Sequence, residues 1–81
     1  MHDRPLDDRA RELLAFEREP LTMPKERAIR MRFGITAARY HQELNRLIDL
    51  PEALAHDPML VGRLRRLRAR RRAKRYAFRV A

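Results

Sequence analysis

Four prolines and one glycine punctuate this chain. Pro20, Pro24, Gly34, Pro51 and Pro58 separate segments whose apolar residues recur at helical spacing, and no alternating Val/Ile/Thr/aromatic run exists to supply a strand. An all-α fold is therefore expected: a small four-helix domain with an extended basic C-terminal helix. With 81 residues there is room for one modest core, and a chain of this size buries only about 60% of its unfolded surface.

The first helix is predicted from about Asp7 to Glu19. Asp7 or Asp8 caps it, Leu6, Ala10, Leu13, Leu14 and Phe16 form its inner stripe, and Pro20 stops it. The second begins on Pro24, a residue at home in a first helical turn, and ends on Phe33. Ala28, Ile29 and Phe33 line its inner face with Met31 at the edge, and Gly34 supplies a left-handed cap. Thr36 caps the third helix, which is expected to reach about Asp49. Its apolar Tyr40, Leu44, Leu47 and Ile48 make a single stripe. The opposite face carries Ala38, Arg39, Gln42, Asn45 and Arg46, with His41 and Glu43 on the flanks. A short turn of helix, PEALAH, precedes Asp57-Pro58, which reads as a cap and first position for the fourth helix. Leu60, Leu64 and Leu67 continue the core stripe, and past Leu67 it fails. The closing YAFRVA regains apolar character without an evident place.

Charge divides the chain sharply. Residues 1–57 carry 10 Arg/Lys against 11 Asp/Glu, whereas residues 58–81 carry 10 Arg/Lys and no acid, so the net +9 sits wholly in the last segment. Such a block faces a polyanion: nucleic acid first, anionic membrane second, acidic protein third. Eighteen of the 20 basic residues are arginine, whose fork fits phosphate and guanine bidentately. A GC-rich genome would also raise arginine over lysine, but it would not segregate the charge.

The second helix, the Gly34-Ile35-Thr36 turn and the third helix have the makings of a helix-turn-helix. Glycine permits the turn, Ile35 plugs the gap between helices, the threonine hydroxyl caps, and Tyr40 and Leu44 lock the crossing. The outer face is then free to enter a major groove about 12 Å wide. The expected DNA contacts are Thr36, Ala38, Arg39, Gln42, Asn45 and Arg46 on this unit. Arg65, Arg66, Arg68, Arg70, Arg71, Arg72, Lys74 and Arg75 join them from the basic helix. Residues 1–68 would form the helix-turn-helix domain and residues 69–81 an arginine-rich helical extension.

LDDRARELL resembles the first helix of the DNA-binding unit shared by sigma-factor region 4 and LuxR-type regulators, and GITAARYHQELNRLI resembles its turn and recognition helix. A longer resemblance runs from KERAIRMRFGITAARYHQELNRLIDLPEALAHDPML through VGRLRRLRARRR. It is to a family of short basic actinobacterial proteins long filed as a domain of unknown function, one mycobacterial group of which is regarded as nucleoid-associated. The resemblance implies a nucleoid-associated protein or transcriptional regulator. Two positions depart from these patterns. Arg30 stands where helix-turn-helix units usually carry a small residue, four before Gly34, and would demand a wider crossing or a side chain that snorkels out. His41 stands where the close family often has a second aromatic.

The remaining chemistry is exclusion. No serine or cysteine exists to act as a nucleophile and no Gly-rich phosphate loop is present, so no enzyme and no small-molecule substrate are expected. His2, His41 and His56 are scattered without partners at ligand spacing, so neither metal nor cofactor is expected. MHDRPLDDRARELL has no apolar h-region and no run approaches a membrane span, which predicts a cytoplasmic protein at the nucleoid rather than an exported or membrane one. A membrane-surface helix is disfavoured because arginines surround the last helix. The expected function is duplex DNA binding through phosphate contacts with weak sequence preference. Two surfaces on one chain could even bridge two duplexes, and pairing into a homodimer would be a way to gain affinity. The alternatives are an adaptor for RNA polymerase or a sigma factor, and a structured-RNA binder.

Overall fold

The computed structural model describes residues 5–80, and every regular element in that range is helical. The helices are α1 (Asp8–Arg18), α2 (Lys25–Phe33), α3 (Ala37–Leu47), α4 (Pro51–His56) and α5 (Pro58–Val80). The fold is all-α, as the punctuation predicts, with five helices among the described residues rather than four. PEALAH is a six-residue helix of its own, with Pro51 in its first turn.

Local chemistry sets most of the boundaries. The Asp7 carboxylate accepts the Ala10 N–H at 2.8 Å and caps α1. Pro24 precedes α2 as its extended cap rather than sitting inside its first turn, a shift of one residue from expectation. α3 ends at Leu47, short of Asp49. Leu50 must be extended ahead of Pro51 (φ −80°, ψ 136°), and the chain needs Ile48 and Asp49 to turn towards it. Asp57 caps α5, its carboxylate accepting the Leu60 N–H at 3.2 Å.

The core gathers Leu6, Leu13, Leu14 and Phe16 from α1 and its lead-in, Ala28 and Ile29 from α2, and Tyr40, Leu44, Leu47 and Ile48 from α3 and its cap. Ala53, Leu60 and Val61 close it from α4 and α5. Val61 is wholly buried, although the i, i+4, i+7 stripe picked out only Leu60, Leu64 and Leu67. Leu64 packs against the core while half-buried, and Leu67 is likewise only half-buried. Met31, expected at an edge, points outward with 68% of its surface exposed.

Ion pairs join the helices around this core, three of them through α1 and its C-terminal cap to α2 and α5. The Arg18 fork holds both Asp57 oxygens at 2.6 Å, tying α1 to the start of α5. Arg32 reaches Glu19 at 2.6 Å, and Lys25 reaches Glu17 at 2.9 Å, tying α2 to α1.

α5 is one unbroken helix of 23 residues, about 34 Å long at 1.5 Å per residue, so it outruns the core it starts on. The radius of gyration, 14.2 Å, accordingly exceeds the roughly 12 Å of a compact chain of this length. From Ala69 to Ala77 every residue is exposed, Tyr76 among them. The tail YAFRVA thus begins exposed, and its last residue, like His2 at the other end, lies outside the described residues.

Candidate nucleic-acid interface

The α2–α3 junction is built as its three residue types require. Gly34 takes φ 69°, ψ 22°, the left-handed region, and donates its N–H to the Arg30 carbonyl at 2.8 Å. Ile35 is half-buried against the core. Thr36 Oγ1 accepts the Arg39 N–H at 3.1 Å.

Behind the junction, Tyr40 anchors α3. Its ring is fully buried, edge-on to Phe16 at 5.5 Å and tilted on Phe33 at 5.6 Å. Its hydroxyl donates to Glu17 at 2.5 Å, and Lys25 completes the partners of that carboxylate. Burial first, and the bond to Glu17 second, push the phenol well above its ordinary value, so it remains a donor. A buried hydroxyl on a carboxylate fixes the rotation of α3 about its own axis, and with it the residues that face outward.

Those residues are the ones the sequence singled out. Ala38, Arg39, Gln42, Asn45 and Arg46 are all exposed, on the side of α3 away from Tyr40, Leu44 and Leu47, and Thr36, its cap, is exposed at its start. The flanking acid, Glu43, is occupied: the Arg9 fork binds its two oxygens at 3.1 Å each, and Arg39 approaches at 3.7 Å. The face therefore offers a threonine hydroxyl, two carboxamides and two guanidiniums; of the carboxylates beside it Glu43 is paired, while Glu26 of α2 lies next to Thr36 and Ala38.

The structure adds two residues that sequence reading missed. Arg30 is exposed, and with Arg9 and Arg39 it lines a recess of about 540 Å³ around Gly34, Ile35 and Thr36. On the other side of Thr36, Arg27, Arg30 and the acid Glu26 line a second recess with Ala37 and Ala38. Arg30 thus meets the crowding problem at its position by extending outward beside the α3 N-terminus. Its departure from the usual small residue was the available signal. The i, i+3 spacing of Arg27 and Arg30 was the second.

On α5 the basic residues divide into two groups. Arg65 donates to the Ile48 carbonyl at 2.6 Å, and Arg68 reaches the Asn45 carbonyl at 3.2 Å and the Asp49 carboxylate at 2.5 Å. Both serve the open C-terminal carbonyls of α3 and hold α5 against it. The bond from Arg68 keeps the Asp49 carboxyl below its ordinary range. Arg63, Arg66, Arg70, Arg71, Arg72, Lys74 and Arg75 have no ion-pair partner among the described residues.

Between α5 and the rest of the molecule runs an open groove of about 580 Å³. Leu44, Ile48, Leu64 and Leu67 give it an apolar lining. Lys25, His41 and Asn45 stand along one wall, and Arg71, Lys74 and Arg75 along the other. The His41 imidazole is held below its ordinary pKa, by burial first and then by the charge of Lys25, with Arg71 adding to it.

Among the described residues no cluster of three or more His, Asp or Glu is placed to hold a metal ion, and no helix is long and apolar enough to cross a membrane. No curated protein and no solved structure matches the chain. Residues 5–76, nearly all of it, match the family described as protein of unknown function (DUF3263), and the chain belongs to that family.

Proposed function

We propose that this protein binds duplex DNA, as a nucleoid-associated protein or transcription regulator, with α2, the Gly34 turn and α3 acting as a helix-turn-helix. The observation that carries this reading is the union of two surfaces. One is the α3 face of Thr36, Ala38, Arg39, Gln42, Asn45 and Arg46, whose flanking Glu43 is paired. The other is the seven cations of α5 that have no ion-pair partner among the described residues. A helix carrying that charge without partners is stabilised by a polyanion, and arginine on phosphate supplies affinity that does not depend on base sequence.

α3 sets the register. Arg39, Gln42, Asn45 and Arg46 reach base edges with weak preference, and Thr36 meets phosphate beside Arg27 and Arg30. The N-terminus of α3 contributes its unpaired backbone N–H groups to the same phosphate. Arg65 and Arg68 act indirectly, by fixing α5 to α3.

Gel shifts on random-sequence duplex across a salt series test the reading, with duplex RNA as competitor. Tight binding at low salt that weakens steeply as salt rises is expected, and indifference to duplex DNA in dilute buffer would sink it. A pull-down from nuclease-treated lysate separates the adaptor alternative, because partners held through DNA disappear with the nucleic acid.

A further inference from the structure

The groove between α5 and α3 has a cationic wall on α5 that nothing across the open space neutralises. Residues three and four apart share a helix face, so Arg71 and Arg75 continue the line of Leu60, Leu64 and Leu67 and look back at the body of the protein. Across from them stand Lys25 and His41, with the Asn45 side chain between. Glu17, the one acid lining the groove, is already bound by the Lys25 ammonium at 2.9 Å and the Tyr40 hydroxyl at 2.5 Å. Nothing else on either wall neutralises the three cations of α5. Burial first, and then the charges of Lys25 and Arg71 against the opposing pull of Glu17, hold the His41 imidazole below its ordinary pKa, so this wall adds no unpaired cation of its own.

We propose that this groove seats one sugar-phosphate strand of the bound duplex, gripped by Lys25, His41 and Asn45 on one wall and Arg71, Lys74 and Arg75 on the other. The inference rests on the DNA-binding reading above and refines it. The strand is the one bordering the major groove that α3 enters, since Asn45 belongs both to the outer face of α3 and to the groove. α3 and the basic end of α5 then act on the same duplex, and the seven free cations of α5 are not equivalent. Arg63, Arg66 and Arg70 share a different face of α5, line no part of the groove, and attract DNA only at longer range.

This inequality is testable with two double variants that remove the same charge from the same helix. Arg71→Gln with Arg75→Gln strips the groove; Arg66→Gln with Arg70→Gln strips the other face. All four residues are exposed, and circular dichroism checks that both proteins keep wild-type helicity. Affinity for a random-sequence duplex is measured by fluorescence anisotropy over a range of salt concentrations. With about one unit of salt slope per lost phosphate contact, the groove variant should lose about two units and at least about tenfold in affinity, and the other variant less than one unit and a few-fold. His41→Glu, which brings an acid to the opposite wall, should weaken binding at least as much as the groove variant. Equal losses from the two double variants, or an unaffected His41→Glu protein, would overturn the groove as a strand seat while leaving DNA binding intact. A wild-type protein that ignores the duplex would overturn both.

Discussion

Gly34 holds the α2–α3 turn at φ 69°, a conformation that any residue with a Cβ adopts at a cost. An added methyl would meet no atom within 4 Å, so Gly34→Ala isolates the backbone term. It should destabilise the protein by about 1–2 kcal/mol, read as a lower urea midpoint with an unchanged slope. Tyr40 works differently. Tyr40→Phe keeps the ring among Phe16 and Phe33 but takes the donor from Glu17, whose side chain is only 7% exposed. The expected cost is about 1–3 kcal/mol. The pH dependence carries a second signature. The folded phenol lies above its ordinary value of 10.0, so its stabilisation is fully present below pH 10 and is lost as pH rises through the folded value. Alkaline unfolding of the wild type should therefore contain a component that the Tyr40→Phe protein lacks, visible in urea midpoints measured on both sides of that pH.

Among the elements, α5 is anchored at its start by Asp57, which caps it and also receives the Arg18 fork. The hydrogen bond from Arg18 holds the Asp57 carboxyl below its ordinary 3.8, and Arg68 does the same for Asp49. Both contributions are complete above the unfolded value and vanish as pH falls through the folded ones. Stability should fall below about pH 4, and Asp57→Asn should flatten that fall in acid denaturation followed by circular dichroism. Caps and stripes of this kind were legible in the sequence because they are local: Asp7, Gly34 and Thr36 act within four residues of themselves, and Tyr40, Leu44, Leu47 and Ile48 declare a face by spacing alone. Contacts across elements were not legible. Arg65 and Arg68 find their partners 17 to 23 residues away, and nothing in an arginine run distinguishes those two from Arg66 or Arg70. Arg27 and Arg30 gain meaning only once the turn brings them beside Thr36. Val61 escaped because α4, packed against α5, adds a second buried side to a helix that by pattern alone has one.

For the molecule as a whole, the deciding quantity is how steeply affinity depends on salt. A protein near neutral over residues 1–57 and strongly cationic over residues 58–81 can hold a polyanion in two ways. In the first, the +9 net charge acts as a diffuse field, which screening over about 8 Å at physiological ionic strength would largely erase. In the second, individual phosphates are paired by placed side chains, each release of a condensed counterion adding about 0.9 to the slope of log K against log salt. Under the proposed function, the arrangement of α3 and α5 favours the second. Arg27 and Arg30 flank Thr36, Arg46 lies on the outer face of α3, and the cations of α5 are fixed by a continuous helix pinned through Arg65 and Arg68. About six phosphates neutralised at once give a slope near −5. Replacing Arg70, Arg71 and Arg72 together with alanine should make the slope shallower and lower affinity about equally on every sequence. Gln42→Ala or Arg39→Ala should leave the slope nearly unchanged by comparison and alter the ranking of sequences instead, because the proposed docking puts those side chains on bases. Anisotropy titrations on several unrelated duplexes at four salt concentrations separate the two classes. If the triple alanine protein kept the wild-type slope, the placed-cation account of affinity would be wrong.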